Sequence, residues 1–205
     1  MENNNTKGFF IAVDGPNGAG KSTLIDSIKT KMERKGWIVF TTKEPTQTDL
    51  GCFLREFAER SEGVSLACLI AADRYEHIKN EIFPELIKGK IVITDRYVLS
   101  SLILQQMDGV SNTFILDLNS QILKPDLQLA IFADEDILQE RLSERETLTR
   151  FEKNNQSNNE LHFMKAGLIE LEKLDINIMC IDNNDKLEDN AENIVSYIDE
   201  NWKNR

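Results

Sequence analysis

The stretch that decides the fold is Phe9-Phe10-Ile11-Ala12-Val13-Asp14-Gly15-Pro16-Asn17-Gly18-Ala19-Gly20-Lys21-Ser22-Thr23-Leu24. Its first part, Phe9 to Val13, is an apolar run of the length of a buried strand. From Gly15 the residues fit G-x-x-x-x-G-K-[ST] and pass at once into a helical pattern, Thr23 to Lys35, with Leu24, Ile25, Ile28 and Met32 on one stripe and Gly36 as its stop. Strand, glycine-rich turn and helix in that order make a phosphate cradle. Gly15, Asn17, Gly18, Ala19 and Gly20 curl backbone N–H groups around phosphate oxygens, and the helix start at Lys21, Ser22 and Thr23 adds the positive end of its dipole. Lys21 would reach the β and γ phosphates of a nucleoside triphosphate, and Ser22 would ligate Mg²⁺.

Further apolar runs recur outward from this point, at Trp37 to Thr41, Ile91 to Thr94, Leu127 to Ala133 and Ile176 to Ile181. Helical periods separate them, notably Ser65 to Lys88, closed by Gly89, and Leu187 to Trp202. Strands apolar on both faces that alternate with helices predict a parallel sheet covered on both sides. The expected architecture is a three-layer α/β P-loop NTPase fold with a five-stranded parallel sheet. No repeat or linker divides the chain, so residues 1–205 read as a single domain with a lid insertion at about 146–160, where the polar run Lys153 to Glu160 suits a mobile loop.

Lys+Arg 24 against Asp+Glu 35 leaves a net charge of −11, which opposes wrapping nucleic acid or lying on an anionic membrane. No apolar run approaches the roughly 20 residues of a membrane span, and the polar opening residues Met1 to Lys7 lack a signal-peptide core. A soluble, unexported, cytoplasmic protein is expected. Cys52, Cys68 and Cys180 are odd in number and lie among apolar neighbours, as reduced core thiols would. His77 and His162 have no partner at metal spacing and suit surface or helix-packing positions, while Trp37 and Trp202 suit core or staple roles.

The cradle alone leaves the reaction open. An ABC-type transport ATPase would carry a Leu-Ser-Gly-Gly-Gln-like signature and a small GTPase an Asn-Lys-x-Asp sequence, and neither occurs. Four further segments fall in order: Lys43-Glu44-Pro45-Thr46, Gly51-Cys52-Phe53-Leu54-Arg55, Ala71-Ala72-Asp73-Arg74 and Asp95-Arg96-Tyr97-Val98-Leu99-Ser100-Ser101, followed by Pro125-Asp126-Leu127. With them the chain, from about Phe9 to its last helix, resembles the thymidylate kinase family.

That resemblance implies transfer of the γ-phosphoryl of ATP to dTMP with Mg²⁺, by a homodimer. It makes Arg55 and Arg74 clamps on the acceptor 5′-phosphate, puts Arg96 at the transferring region, and gives Asp95 the Mg²⁺ through water. Glu44 and Ser101 join the acceptor's neighbours. Phosphoryl transfer asks for positioning and charge neutralisation, which converging arginines supply. The segment Asp136 to Arg145 and then Glu146 to Glu152 resembles the lid of bacterial-type members. With Gly18 where another branch has an arginine, the lid is expected to bring the catalytic charge, from Arg145 or Arg150, with Arg141 the weaker candidate.

The base end departs from the family. Ile70 stands where an aromatic would stack on the base, Leu104 and Leu168 replace tyrosines, and Asn17 replaces the acidic loop residue that meets the sugar. The resemblance makes dTMP the leading acceptor, and the altered base end leaves another nucleotide or phosphorylated small molecule as the alternative. An ATP-binding switch without transfer would have no use for Arg55 and Arg74.

Overall fold

All six side chains of β1 (Phe9–Asp14) are buried, a condition that a strand meets only with packing on both faces. In the computed structural model, which describes residues 8–153 and 157–202, this strand is the centre of the molecule. The chain continues through α1 (Lys21–Arg34), β2 (Val39–Lys43), α2 (Asp49–Ala58), α3 (Gly63–His77), a π-helical turn (Ile78–Ile82), α4 (Phe83–Ile87), β3 (Ile91–Asp95), α5 (Val98–Met107) and α6 (Asn112–Leu118). It closes with β4 (Leu127–Phe132), α7 (Glu135–Ser143), α8 (Ser157–Glu172), β5 (Ile178–Asp182) and α9 (Leu187–Trp202).

The five strands lie in the order β2-β3-β1-β4-β5, and every neighbouring pair is parallel. Register follows the apolar residues: Phe10 faces Val92 of β3, and Ile11 faces both Ile93 of β3 and Leu127 of β4. The period of two then sorts β1 between two cores. Phe9, Ile11 and Val13 join Leu24, Ile28 and Met32 of α1 and Ile194 and Ile198 of α9. Phe10 and Ala12 join Leu99 and Leu102 of α5 and Met164 and Leu171 of α8 on the other face. Because β2 and β3 lie to one side of β1 and β4 and β5 to the other, connections diverge at the carboxyl end of β1, where open α/β sheets leave a crevice for ligands.

Several expectations need correction. The helix read as Ser65 to Lys88 is interrupted: Pro84 has no N–H to donate into the helical ladder, and the Phe83 N–H reaches the Ile78 carbonyl across a π turn. The second strand begins at Val39, because the Trp37 ring stacks on Trp202 at 4.5 Å and its indole N–H donates to Asp199 Oδ1 (2.8 Å). Of the polar run Lys153 to Glu160, residues Ser157 to Glu160 form the first turn of α8, and 154–156 lie outside the described residues. All three cysteines are exposed. Cys52 and Cys68 sit on outward faces of surface helices and Cys180 on the edge strand β5, so the thiols face away from the core although Leu54, Ala67 and Ile181 close by in the sequence are buried. His77, by contrast, is buried, with Nδ1 3.2 Å from Glu44 Oε1 and Nε2 2.8 Å from Thr42 Oγ1.

Candidate functional site

The turn from β1 into α1 is built from close approaches. A Cβ on Gly15 would lie 2.4 Å from the Ile131 carbonyl oxygen, and Gly20, the residue that opens α1, has φ +81°. No side chain caps α1 there, so its first N–H groups are not taken up by a capping residue. Lys21 is buried, and its ammonium donates to the carbonyls of Gly15 (3.0 Å) and Pro16 (2.7 Å). Burial first, and then the charge of Arg96, pulls the Lys21 pKa from 10.5 down to about 7, against the opposing pull of Asp95, Glu160 and Asp14.

At the end of β3 Asp95 comes beside this helix start, and its Oδ2 accepts the Ser22 hydroxyl at 2.7 Å. Its other oxygen, Oδ1, is buried without a hydrogen-bond partner. A hydroxyl, a carboxylate and an uncommitted carboxylate oxygen side by side suit a hard cation that takes oxygen ligands, so Ser22 and Asp95 fit Mg²⁺. The next residue, Arg96, has φ +75°, a conformation a residue with a Cβ holds only when its surroundings impose it. Its surroundings do so: the Arg96 N–H donates to the Val13 carbonyl (2.9 Å), Nη1 to Ser100 Oγ (3.2 Å) and Nη2 to Asn17 Oδ1 (2.6 Å). Asp14, at the end of β1, fixes the entry to α5 by accepting from the N–H groups of Tyr97 (2.8 Å) and Ser100 (3.0 Å) and from the Ser100 hydroxyl (2.5 Å).

On the outer side of the loop a cleft of about 460 Å³ is lined by Gly18, Gly20, Thr23, Arg141 and Arg145 and by Asn183, Asn184, Asp185 and Leu187. Arg141 spans it, donating to the carbonyls of Asn183 (3.1 Å) and Asn184 (2.6 Å), and Asn183 Nδ2 ties the wall to the Ala19 carbonyl (2.8 Å). The two arginines expected in a lid part company here. Arg145 lines the cleft and pairs with Glu152. Arg150 is held elsewhere, with both terminal nitrogens on Asp108 at the end of α5 (2.7 and 2.8 Å) and Nε on the Ala58 carbonyl at the end of α2 (2.8 Å).

Arg74 anchors the opposite half of the site. It is 1% exposed and donates to Glu44 Oε2 (2.9 Å), Asn119 Oδ1 (2.7 Å), the Tyr97 carbonyl (3.1 Å) and Ser101 Oγ (3.0 Å). Burial opposes its charge, but the Glu44 carboxylate outweighs that and holds its pKa above the ordinary arginine value. Arg55 is only partly buried and donates to the carbonyls of Pro45 (2.7 Å) and Thr46 (2.8 Å), so the segment Glu44 to Thr46 joins the two arginines. Thr46 is in turn held by Asp73, which accepts its N–H (2.8 Å) and hydroxyl (2.6 Å). Of the residues expected around the base, Leu168 belongs to the core cluster of α5 and α8, Leu104 packs against that cluster, and Ile70 is half-buried outside both cores.

Sequence reasoning overlooked Asp14, Gln105, Glu160 and the Asn183 to Leu187 wall, and it ranked Arg141 below the lid arginines. One signal was available for the wall: it follows the carboxyl end of a strand of a parallel sheet. Gln105 is buried on α5 one turn past Ser101 and has an amide oxygen without a partner.

A parallel sheet, a glycine-rich loop opening a helix, a buried lysine inside that loop and an Asp–Ser pair beside it define a P-loop nucleotide-binding protein of the α/β class. Similarity to known proteins carries this further. The sequence profile of the family described as Thymidylate kinase matches residues 13–194, and the chain belongs to that family. It is 39% identical over 150 residues to a protein of Caldivirga maquilingensis named probable thymidylate kinase, covering 71% of this chain and 73% of that one. It is 40% identical over 144 residues to the thymidylate kinase of Caldicellulosiruptor saccharolyticus, covering 66% of this chain and 70% of that one. Among the described residues, no helix is long and apolar enough to cross a membrane.

Proposed function

We propose that the chain transfers the γ-phosphoryl group of ATP to the 5′-phosphate of dTMP, giving dTDP and ADP. The observation that carries this reading is Arg96, which is bound to Asn17 of the phosphate loop while its neighbour Tyr97 accepts from Arg74. One strand end thus links the donor cradle to the acceptor arginines. The acceptor is a phosphate oxygen that is ionised at neutral pH, so the site needs no general base and works through position and charge.

In this reading Lys21, protonated against a bound triphosphate, neutralises its β and γ oxygens, and Arg96 does the same for the group in transit. Mg²⁺, held by Ser22 and Asp95, would spread the charge of the phosphate oxygens. Arg141 and Arg145 flank the bound nucleotide, and Arg145 rather than Arg150 is the lid cation at the transfer because it lines the cleft beside Gly18. Arg55 and Arg74 grip the acceptor phosphate; Ser101 and Glu44 hold Arg74 in place, and Gln105, Ile70, Leu104 and Leu168 surround the base. The enzyme is read as cytoplasmic and homodimeric, acting on small nucleotides and not on nucleic acid, in line with its charge of −11.

The test is ADP release over a panel of nucleoside monophosphates. dTMP should be the best acceptor, and thymidine, which lacks the 5′-phosphate, should be poor; efficient phosphorylation of thymidine would overturn the reading. Ile70→Phe sharpens it, since an aromatic stack on a base is worth about 1–3 kcal/mol and so a rise of roughly 5- to 150-fold in kcat/KM for dTMP. An unchanged kcat/KM would place the base away from Ile70.

A further inference from the structure

Glu160 lies in the first turn of α8, 2% exposed, and its carboxylate grips the phosphate loop at a single residue. Oε2 accepts the backbone N–H of Asn17 at 2.7 Å, and Oε1 accepts its side-chain Nδ2 at 3.0 Å. Asn17 is itself buried, and its remaining amide atom, Oδ1, accepts from Arg96 Nη2 at 2.6 Å. We propose that Glu160 is a positioning residue for phosphoryl transfer: by fixing the sense of the Asn17 amide it holds the Arg96 guanidinium in its working place.

An ionised carboxylate only accepts and a guanidinium only donates, so an amide between them fits in one sense alone, NH₂ toward Glu160 and oxygen toward Arg96. The flipped amide would set oxygen against oxygen on one side and N–H against N–H on the other. Glu160 therefore selects the orientation that Arg96 requires. The selection is firm because Met164 and Leu171, farther along α8, are buried in the core and Arg96 is confined by its own backbone at φ +75°. A structural tie between α8 and the loop would be served by a neutral acceptor. A buried carboxylate carries a desolvation cost that a neutral acceptor would not, so a mere tie gives no reason for a charged side chain at this place.

The proposal rests on the kinase reading for what Arg96 does, and its test is a chemical exchange of the pair. Wild type, Glu160→Gln, Asn17→Asp and the double variant are compared in steady-state turnover of dTMP with ATP and in thermal midpoint. Glu160→Gln turns a donor toward the Asn17 N–H groups, and Asn17→Asp brings two carboxylates together. Each single change should lower kcat by about tenfold or more, with the KM for ATP within about twofold. The double variant again has one carboxylate and one amide, with an acceptor toward Arg96, and should return kcat to within about threefold of wild type. A double variant no faster than the slower single one overturns the proposal, as does wild-type kcat in Glu160→Gln. Recovery of the thermal midpoint without recovery of kcat also overturns it, by reducing Glu160 to a structural tie. Absence of turnover in wild type with every nucleoside monophosphate would instead overturn the kinase reading, and the pairing would still be read from the midpoints.

Discussion

The phosphate loop and the arginine arm facing it are both proposed to hold phosphate, yet they are built from opposite materials. The loop uses its own backbone: positive-φ glycines, a helix start without a side-chain cap, and a lysine folded onto neighbouring carbonyls, all within residues 15–22. The arm gathers groups from distant segments, with Arg74 donating to the side chains of Glu44, Ser101 and Asn119 and to the Tyr97 carbonyl. A backbone cradle tolerates change in the side chains around it but not in its one charged member. A side-chain arm shares its function among several members, each of which also supports the fold. Variants should divide along that line.

The largest effect is expected in the loop. Lys21→Ala should lower kcat by about 10²–10³-fold, the cost of removing one preorganised donor from developing charge, without lowering the melting temperature. Burial already disfavours the ammonium in the folded chain, so its removal takes away little stability. A variant that turns over normally would break the contrast at its stronger end.

On the arm, Arg74→Lys keeps the charge but loses the planar fork that serves four acceptors. Charge-assisted bonds are worth about 1.5–3 kcal/mol each, so losing one without replacement predicts a rise in acceptor KM on the order of 10- to 100-fold, with ATP KM unchanged. The melting temperature should fall as well, because the Glu44 carboxylate is buried with it. Arg55→Lys, at a partly exposed position, should raise acceptor KM and leave the melting temperature unchanged. Equal melting temperatures for the two variants would erase the distinction between a buried and an open clamp.

The smallest effect is a pH dependence confined to the loop. With the Lys21 pKa near 7 in the free protein, most chains at pH 8 carry a neutral amine, and a bound triphosphate restores the proton. ATP binding at pH 8 should take up protons, and affinity should weaken as pH rises above 7, by at most about tenfold per unit. Below 7 this dependence should disappear. Calorimetry in two buffers of different ionisation heat measures the uptake, and its absence would mean that Lys21 is already charged. The sign for folding is the opposite: between about 7 and 10.5 the unfolded chain binds the proton that the folded one does not, so this group makes stability rise with pH across that window.

Legibility in the sequence divides in the same way. The loop was readable because its chemistry is contiguous, and the strands were readable because a doubly covered strand is apolar at every position, as Phe9 to Val13 is. What escaped depends on distance and on facing. Glu160 meets Asn17 across 143 residues, and nothing in Ser157 to Glu160, read alone as a polar run, distinguishes a loop from a helix start. Arg74 and Arg55 look alike as letters but differ in burial, which is set by the helices packed over them. The cysteines were misread because sequence neighbours on a surface helix or an edge strand need not share a face. Arg150 and Arg145 lie five residues apart, and their partners, Asp108 and the Ala58 carbonyl for the one and Glu152 for the other, separate their destinations.

The stack of Trp37 on Trp202 has a spectroscopic consequence. These are the only two tryptophans of the chain, and they lie 4.5 Å apart at an interplanar angle of 22°, where the entrance to β2 meets the end of α9. All indole emission therefore originates from one coupled pair, quenched and exciton-split together, on the flank where α9 covers the sheet. Fluorescence and near-ultraviolet dichroism of this protein report whether its last helix is docked. Neither bears directly on occupancy of the loop, so a tryptophan signal that moves with nucleotide would measure a change transmitted through α1, the helix that begins at the phosphate cradle and packs against α9.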